Sequence, residues 1–175
     1  MNYIYTEKTP NPDSVKFITG RDLTTGGTLE VKSFDEAIGE PLLEDLMMVP
    51  NVSSVMVGRN FVTVTRSSGD WSDIGMDVMR VLGNQFMQPI RTKRQEVTSD
   101  DPTVSKILDL IETRIRPAVE RDGGDVLFRS FEDGVVTLEM MGSCNGCPSS
   151  MATLKNGIEN MMRHFIPEVR EVRSI

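Results

Sequence analysis

Val126-Leu127-Phe128-Arg129-Ser130-Phe131-Glu132-Asp133-Gly134-Val135-Val136-Thr137-Leu138-Glu139-Met140 consists of two runs rich in β-branched, aromatic and aliphatic residues on either side of Glu132-Asp133-Gly134. Such residues favour extended backbone, and Asp-Gly between them is a strong signal for a tight hairpin turn. Strands are therefore expected over residues 125–131 and 135–140. Upstream, Asp101 is placed to cap a helix with Pro102 at its first position, and Val104, Ile107, Leu108, Ile111 and Ile115 recur at helical spacing. Pro117 should kink or end that helix, because it lacks an amide donor and disfavours helical geometry at Arg116. Downstream, Met151, Leu154, Ile158, Met161, Met162 and Phe165 mark an amphipathic helix over residues 148–165, stopped by Pro167. A last strand is expected over residues 169–175, although Val169 and Val172 do not alternate strictly. The order α-β-β-α-β defines an α+β unit with a Cys-x-x-Cys turn before its last helix.

The first half of the chain is a second α+β unit. Residues 14–19, 52–57 and 60–65 have strand composition, and Gly58-Arg59-Asn60 can turn the second of these into the third. Phe34, Ala37, Ile38, Leu42 and Leu46 have helical spacing interrupted by Gly39 and Pro41, so that helix is expected to be short or bent. A further helix is expected over residues 71–86, with Trp71, Ile74, Val78, Val81, Leu82 and Phe86 on one face. Between the halves the chain turns polar and charged, with Ile90 and Val97 its only large apolar residues. The organisation expected is one small domain over residues 1–88, a linker over 89–101 and a second small domain over 102–175. No catalytic constellation, repeat or low-complexity tract is visible.

Composition narrows the function classes. The chain has 175 residues, 38% hydrophobic and 26% charged, as in globular proteins with packed cores. Its formal net charge of -7 opposes the phosphate contacts that supply most nucleic-acid affinity, so no nucleic-acid partner is expected. The acidity leans to the second half, with ten basic and twelve acidic residues before Gln95 and nine and fourteen after it. No apolar run approaches the roughly 18 residues of a membrane span, so a soluble protein away from membranes is expected. The first residues resemble neither a secretory signal nor an acid-poor transit peptide. Two cysteines are too few for a disulfide-stapled secreted scaffold. A reducing compartment is expected: bacterial cytoplasm, or an organelle interior after removal of a transit peptide.

The two cysteines, Cys144 and Cys147, stand in Ser143-Cys144-Asn145-Gly146-Cys147-Pro148, where a strand gives way to a helix. The first amides of a helix are unpaired and carry partial positive charge, so they favour thiolates. Gly142 and Gly146 allow close backbone approach, and Pro148 fits a first helical turn. Zinc sites, thiol-disulfide enzymes and iron-sulfur sites all use this spacing. Structural zinc needs four ligands, and the sole histidine, His164, lies 17 residues past Cys147. Along a continuous helix that is about 25 Å, so His164 is read as a helix-end dipole partner unless the helix breaks at Asn156-Gly157. Two chains meeting on a two-fold axis would together supply four cysteines, enough for a 4Fe-4S cubane between subunits. A cluster so held can leave when the subunits part, which suits storage and delivery. A thioredoxin-like oxidoreductase remains an alternative, disfavoured because the cysteines follow a hairpin and not a βαβ pattern; a zinc-stabilised interaction module is another.

Ile115-Arg116-Pro117-Ala118-Val119, Asp122-Gly123-Gly124-Asp125, residues 141–150 and Leu154-Lys155-Asn156-Gly157-Ile158-Glu159 resemble the C-terminal domain of NifU and the Nfu-type iron-sulfur scaffold proteins. Thr9-Pro10-Asn11-Pro12-Asp13-Ser14-Val15-Lys16-Phe17 resembles the start of the Nfu N-terminal domain. The resemblance implies a non-enzymatic carrier that receives a 4Fe-4S cluster, with a bridged 2Fe-2S cluster the alternative, from a donor scaffold. It implies delivery to apo iron-sulfur proteins and a homodimer in the loaded state. The ligand role carries over to Cys144 and Cys147 only. Beside these, Asp122-Gly123-Gly124-Asp125 has the composition of a connector, the helical methionines that of core filling, and Arg91-Thr92-Lys93-Arg94 that of a solvated linker.

Overall fold

The computed structural model describes residues 3–84, 88–94, 96–146 and 148–175, with the backbone alone at 148–150. The chain divides into two compact units, residues 1–94 and 95–175.

Among the described residues the first unit is a five-stranded antiparallel sheet in the order β1-β2-β5-β4-β3 with three helices. Its strands are β1 (Tyr5–Lys8), β2 (Ser14–Ile18), β3 (Leu29–Val31), β4 (Val52–Val57) and β5 (Phe61–Arg66). The short β1 and β3, which composition did not reveal, are the two edges. Gly39 and Pro41 divide the helical stretch after β3 into α1 (Phe34–Ala37) and α2 (Pro41–Met47), as the interrupted spacing predicts. Phe17, Leu43, Leu46, Val55, Val57, Val62, Val64, Ile74 and Val78 share one apolar core.

The last helix of this unit, α3 (Trp71–Leu82), buries Ile74, Val78 and Leu82 at intervals of four and ends at Gly83. It is shorter than the apolar periodicity suggested; Phe86 lies outside the described residues. Ile90 is 4% exposed and exchanges backbone hydrogen bonds with Leu23 and Thr25, while the Thr92 hydroxyl donates to the Gly27 carbonyl. A single apolar anchor thus ties a polar-looking segment to the first unit.

Asp70 caps α3 by accepting the Ser72 amide at 3.0 Å. This amide, the Ser72 hydroxyl and the Arg66 charge hold the Asp70 carboxyl below its ordinary range, against a smaller opposing effect of desolvation. A carboxylate with a depressed folded pKa adds stability above its unfolded pKa and loses it as pH falls through the folded value. Asp70→Asn should therefore shrink the acid-induced drop in melting temperature between about pH 5 and about pH 3. Fluorescence of Trp71, the sole tryptophan, reports that transition in the intact chain.

The second unit begins with α4 (Pro102–Leu110), where Asp101 caps by accepting the Thr103 amide at 2.7 Å. Pro117 neither stops nor sharply ends this helical run. A π-helical turn over Ile111–Ile115, with the Arg116 amide bonded to the Ile111 carbonyl, leads directly into α5 (Arg116–Arg121). The wider turn is the physical accommodation: Pro117 has no amide to satisfy, and its ring needs space at the carbonyl four residues back.

The hairpin follows as β6 (Gly124–Glu132) and β7 (Val135–Gly142). Asp133 and Gly134 both take positive φ, 48° and 78°, as a type I′ turn requires. After α6 (Pro148–Phe165), β8 (Glu171–Ser174) pairs parallel to β7 and completes a sheet in the order β6-β7-β8. Val169 sits in the turn before β8, where its amide bonds to the Ile166 carbonyl, which explains the broken alternation. Ile107, Ile111, Ile115 and Val119 pack with Val126, Val136 and Leu138 of the sheet and Ile158, Met162 and Ile166. Met162 is fully buried and Met161 packs against the cluster, matching the core-filling role expected of these methionines. Among the described residues no helix is long and apolar enough to cross a membrane.

Candidate metal centre

The turn from β7 into α6 carries the cysteine pair, and its geometry is set by the connector between α5 and β6. Gly123, with φ of 81°, allows the chain to reverse after α5, and its carbonyl accepts the Ser143 amide at 3.2 Å. The Ser143 hydroxyl donates to the Asp122 carbonyl. Gly124 pairs across the hairpin with Gly142, whose φ of 64° swings the chain out of β7. The Asn145 amide then bonds to the Gly142 carbonyl at 3.0 Å and closes a tight turn around Cys144. Asp122-Gly123-Gly124-Asp125, which composition presents as a connector, is also the floor of the site.

Cys144 is 4% exposed and belongs to the apolar core. A methyl group on Gly124 would lie 2.4 Å from its Sγ, so the sulfur rests where only a glycine leaves room. Gly124 and Ser143 are site residues that the cysteine spacing alone does not indicate. Adjacent glycines beside a strand were the available signal, since paired glycines often mark a close backbone approach. Cys147 lies outside the described residues.

Beneath this floor, Arg116 of α5 reaches the start of β6. Its Nε donates to Asp125 Oδ1 at 2.9 Å, one Nη to the Val126 carbonyl at 2.8 Å and the other Nη to Glu112 Oε1. Both Arg116 and Asp125 are buried, and Asp125 also accepts the Val126 amide at 2.7 Å. Burial alone would lower the Arg116 pKa, but the Asp125 charge and hydrogen bond, with help from Glu112, outweigh it and raise the pKa above its ordinary value. The pair fixes the strand end that supports Cys144.

His164 does not join the cysteine turn. The helix runs unbroken through Asn156 and Gly157 to Phe165, leaving the exposed imidazole in the last turn, about 25 Å from the turn's end by helical rise. Its ring meets Phe165 edge-on at 4.8 Å, and Arg114 covers the same phenyl ring at 4.7 Å. Among the described residues no group of three His, Cys, Asp or Glu side chains could hold a metal ion. A four-ligand centre at Cys144 would therefore need donors beyond the described residues.

The parallel pairing of β7 and β8 across α6 makes the cysteine turn the strand-to-helix junction of a βαβ arrangement. Its position after a hairpin thus does not separate it from a thiol-disulfide enzyme, contrary to the expectation from sequence. In the empty chain Cys144 is packed in the core, unlike the partly exposed, electropositive surroundings of reactive thiols.

A family model described as NifU-like domain matches residues 107–173, and one described as Scaffold protein Nfu/NifU N terminal matches residues 4–89. A Homo sapiens protein named NFU1 iron-sulfur cluster scaffold homolog, mitochondrial, is 40% identical over 182 residues, covering 99% of this chain and 72% of that protein. The Drosophila erecta protein of the same name is 42% identical over 183 residues, covering 99% of this chain. This chain spans 65% of the Drosophila protein's length. Among solved structures, a NifU-like protein from Saccharomyces cerevisiae matches with a TM-score of 0.46 and 24% identity over 55% of this chain and 87% of its own.

Proposed function

Since the chain belongs to the Nfu iron-sulfur cluster scaffold family, we propose that it is a carrier that holds a 4Fe-4S cluster between two copies of itself and hands it to apo iron-sulfur proteins. The observation that carries the reading is the cysteine turn, which opens at Gly142 of β7 and runs into α6 within the segment that resembles a NifU-like domain. Cys144 and Cys147 of each chain would be the ligands. A thiolate-ligated cluster is anionic, and the positive end of α6, an 18-residue helix, suits it electrostatically. With half of the thiolates coming from each chain, separation of the chains frees the cargo, so delivery needs no bond-making chemistry by the protein. Donor scaffolds and apo recipients are the partners this role requires. The reducing interior of an organelle, the compartment in the names of the mitochondrial relatives, or a bacterial cytoplasm is the setting proposed for it.

Anaerobic reconstitution with ferrous iron and sulfide, followed by native mass measurement, tests the reading. The result expected is a dimer with about four iron and four sulfide per two chains. A fully loaded species that is strictly monomeric, without an added thiol, overturns the shared site. One zinc per chain from the same preparation would favour an interaction module. His164→Ala is expected to leave iron content and visible spectrum unchanged, because α6 holds the imidazole far from the turn; loss of iron in that variant would show that the histidine is a ligand.

A further inference from the structure

We propose that the empty chain stows the Cys144 thiol on Gly124, and that the thiol leaves this seat through a local movement of residues 144–146 before it can bind a cluster. The inference rests on the carrier reading for its purpose, but its geometry belongs to the empty chain. A ligand shared with a second molecule has to reach the surface, whereas Cys144 is 4% exposed. Its sulfur rests on Gly124, where a methyl group would lie 2.4 Å from Sγ. A glycine at this position permits the stowed state, and any larger side chain opposes it.

The surrounding turn is fixed on one side and open on the other. Ser143 is latched twice, by its amide to Gly123 and by its hydroxyl to Asp122, so the chain before Cys144 is held to the floor of the site. Gly146 is exposed, takes a φ of 87°, and among the described residues has no atom within 4 Å of the place a side chain would occupy. Between latch and open glycine, a change in the 144–146 backbone can carry the thiol outward while β7 stays paired. Within this short segment the Asn145 amide donates to the Gly142 carbonyl. Stowage keeps one ligand out of reach of oxidants and alkylating agents when no cluster is present, and makes uptake depend on a small, reversible opening.

Alkylation of the full-length empty chain by iodoacetamide, in a Cys147→Ser background so that one thiol is followed, reads the stowed state directly. The expected rate in native buffer is at least about tenfold below that in the urea-unfolded chain, and flat in urea below the unfolding transition, as for a local opening that exposes little surface. Gly124→Ala should bring the rate toward the unfolded value. A native rate equal to that of the unfolded chain overturns the proposal, since the thiol is then not stowed. A rate that climbs with the first additions of urea in step with global unfolding overturns it too, since release then requires the whole unit to open. Gly124→Ala also presses on the Met141 carbonyl, 2.8 Å from the added carbon; if that variant does not fold, the urea series decides alone, and if it folds but reacts no faster, stowage is refuted. Iron content after reconstitution is read separately: a protected thiol in a chain that binds no cluster removes the carrier function and leaves the seat.

Discussion

Cys144→Ala is expected to reduce iron retained after reconstitution from about four per two chains to near background, because two of the four thiolates that a cubane requires disappear at once. The broad visible absorbance should vanish with it, and the loaded dimer should no longer form. The fold should survive. Cys144 behaves in the empty chain as a small buried apolar side chain, and its truncation leaves a void close to one sulfur in volume, at a cost of about 1 kcal/mol. A melting temperature within a few degrees of the parent, together with lost iron, separates a ligand from a packing residue. Iron retained at the parental level would show that the cluster sits elsewhere.

The second large effect falls on stability. Arg116→Leu leaves Asp125 buried without the guanidinium that now lies 2.9 Å away, and breaking a buried ion pair from one side costs about 3–5 kcal/mol. Against a stability on the order of 5–15 kcal/mol for a whole domain, this brings the second unit close to unfolding. Urea denaturation followed by circular dichroism should show an early transition absent from the parent. Adding Asp125→Leu should recover part of the loss, because a charge-free pair carries no uncompensated carboxylate. A single variant as stable as the parent would mean that the pair contributes nothing. Because Asp125 follows Gly124, loosening it should also lower cluster content. Sign matters for pH: a cation with a raised folded pKa contributes stability below its unfolded pKa, which for arginine lies far above neutral pH. The contribution of Arg116 should therefore persist through mildly alkaline conditions, and melting temperatures at about pH 7 and about pH 9.5 should not differ on its account.

The helices and central strands were legible because each has a local physical cause. Asp101 caps, Pro102 starts, Gly39 and Pro41 interrupt, and Asp133-Gly134 turns, all within a few residues of their effect. The edge strands β1 and β3 were hidden because four- and three-residue segments at a sheet edge carry little apolar pattern of their own. Pro117 does not end the helical run, because a π turn over Ile111–Ile115 accommodates its ring. Ile90 shows the reverse difficulty, one apolar residue in a charged stretch whose value is decided by its burial in the first unit's core.

The amino-acid sequence by itself determined the α+β architecture of the second unit, the placement of the cysteine motif between strand and helix, and the family to which the chain belongs. Those follow from nearest-neighbour preferences and from a spacing that survives in one dimension. Only the tertiary structure decided that β8 returns parallel to β7, that Arg116 and Asp125 meet in the interior, and that the Cys144 sulfur lies on Gly124. Each of these joins segments separated along the chain, and the energy of such a contact depends on burial and close approach, which exist only once the units have packed.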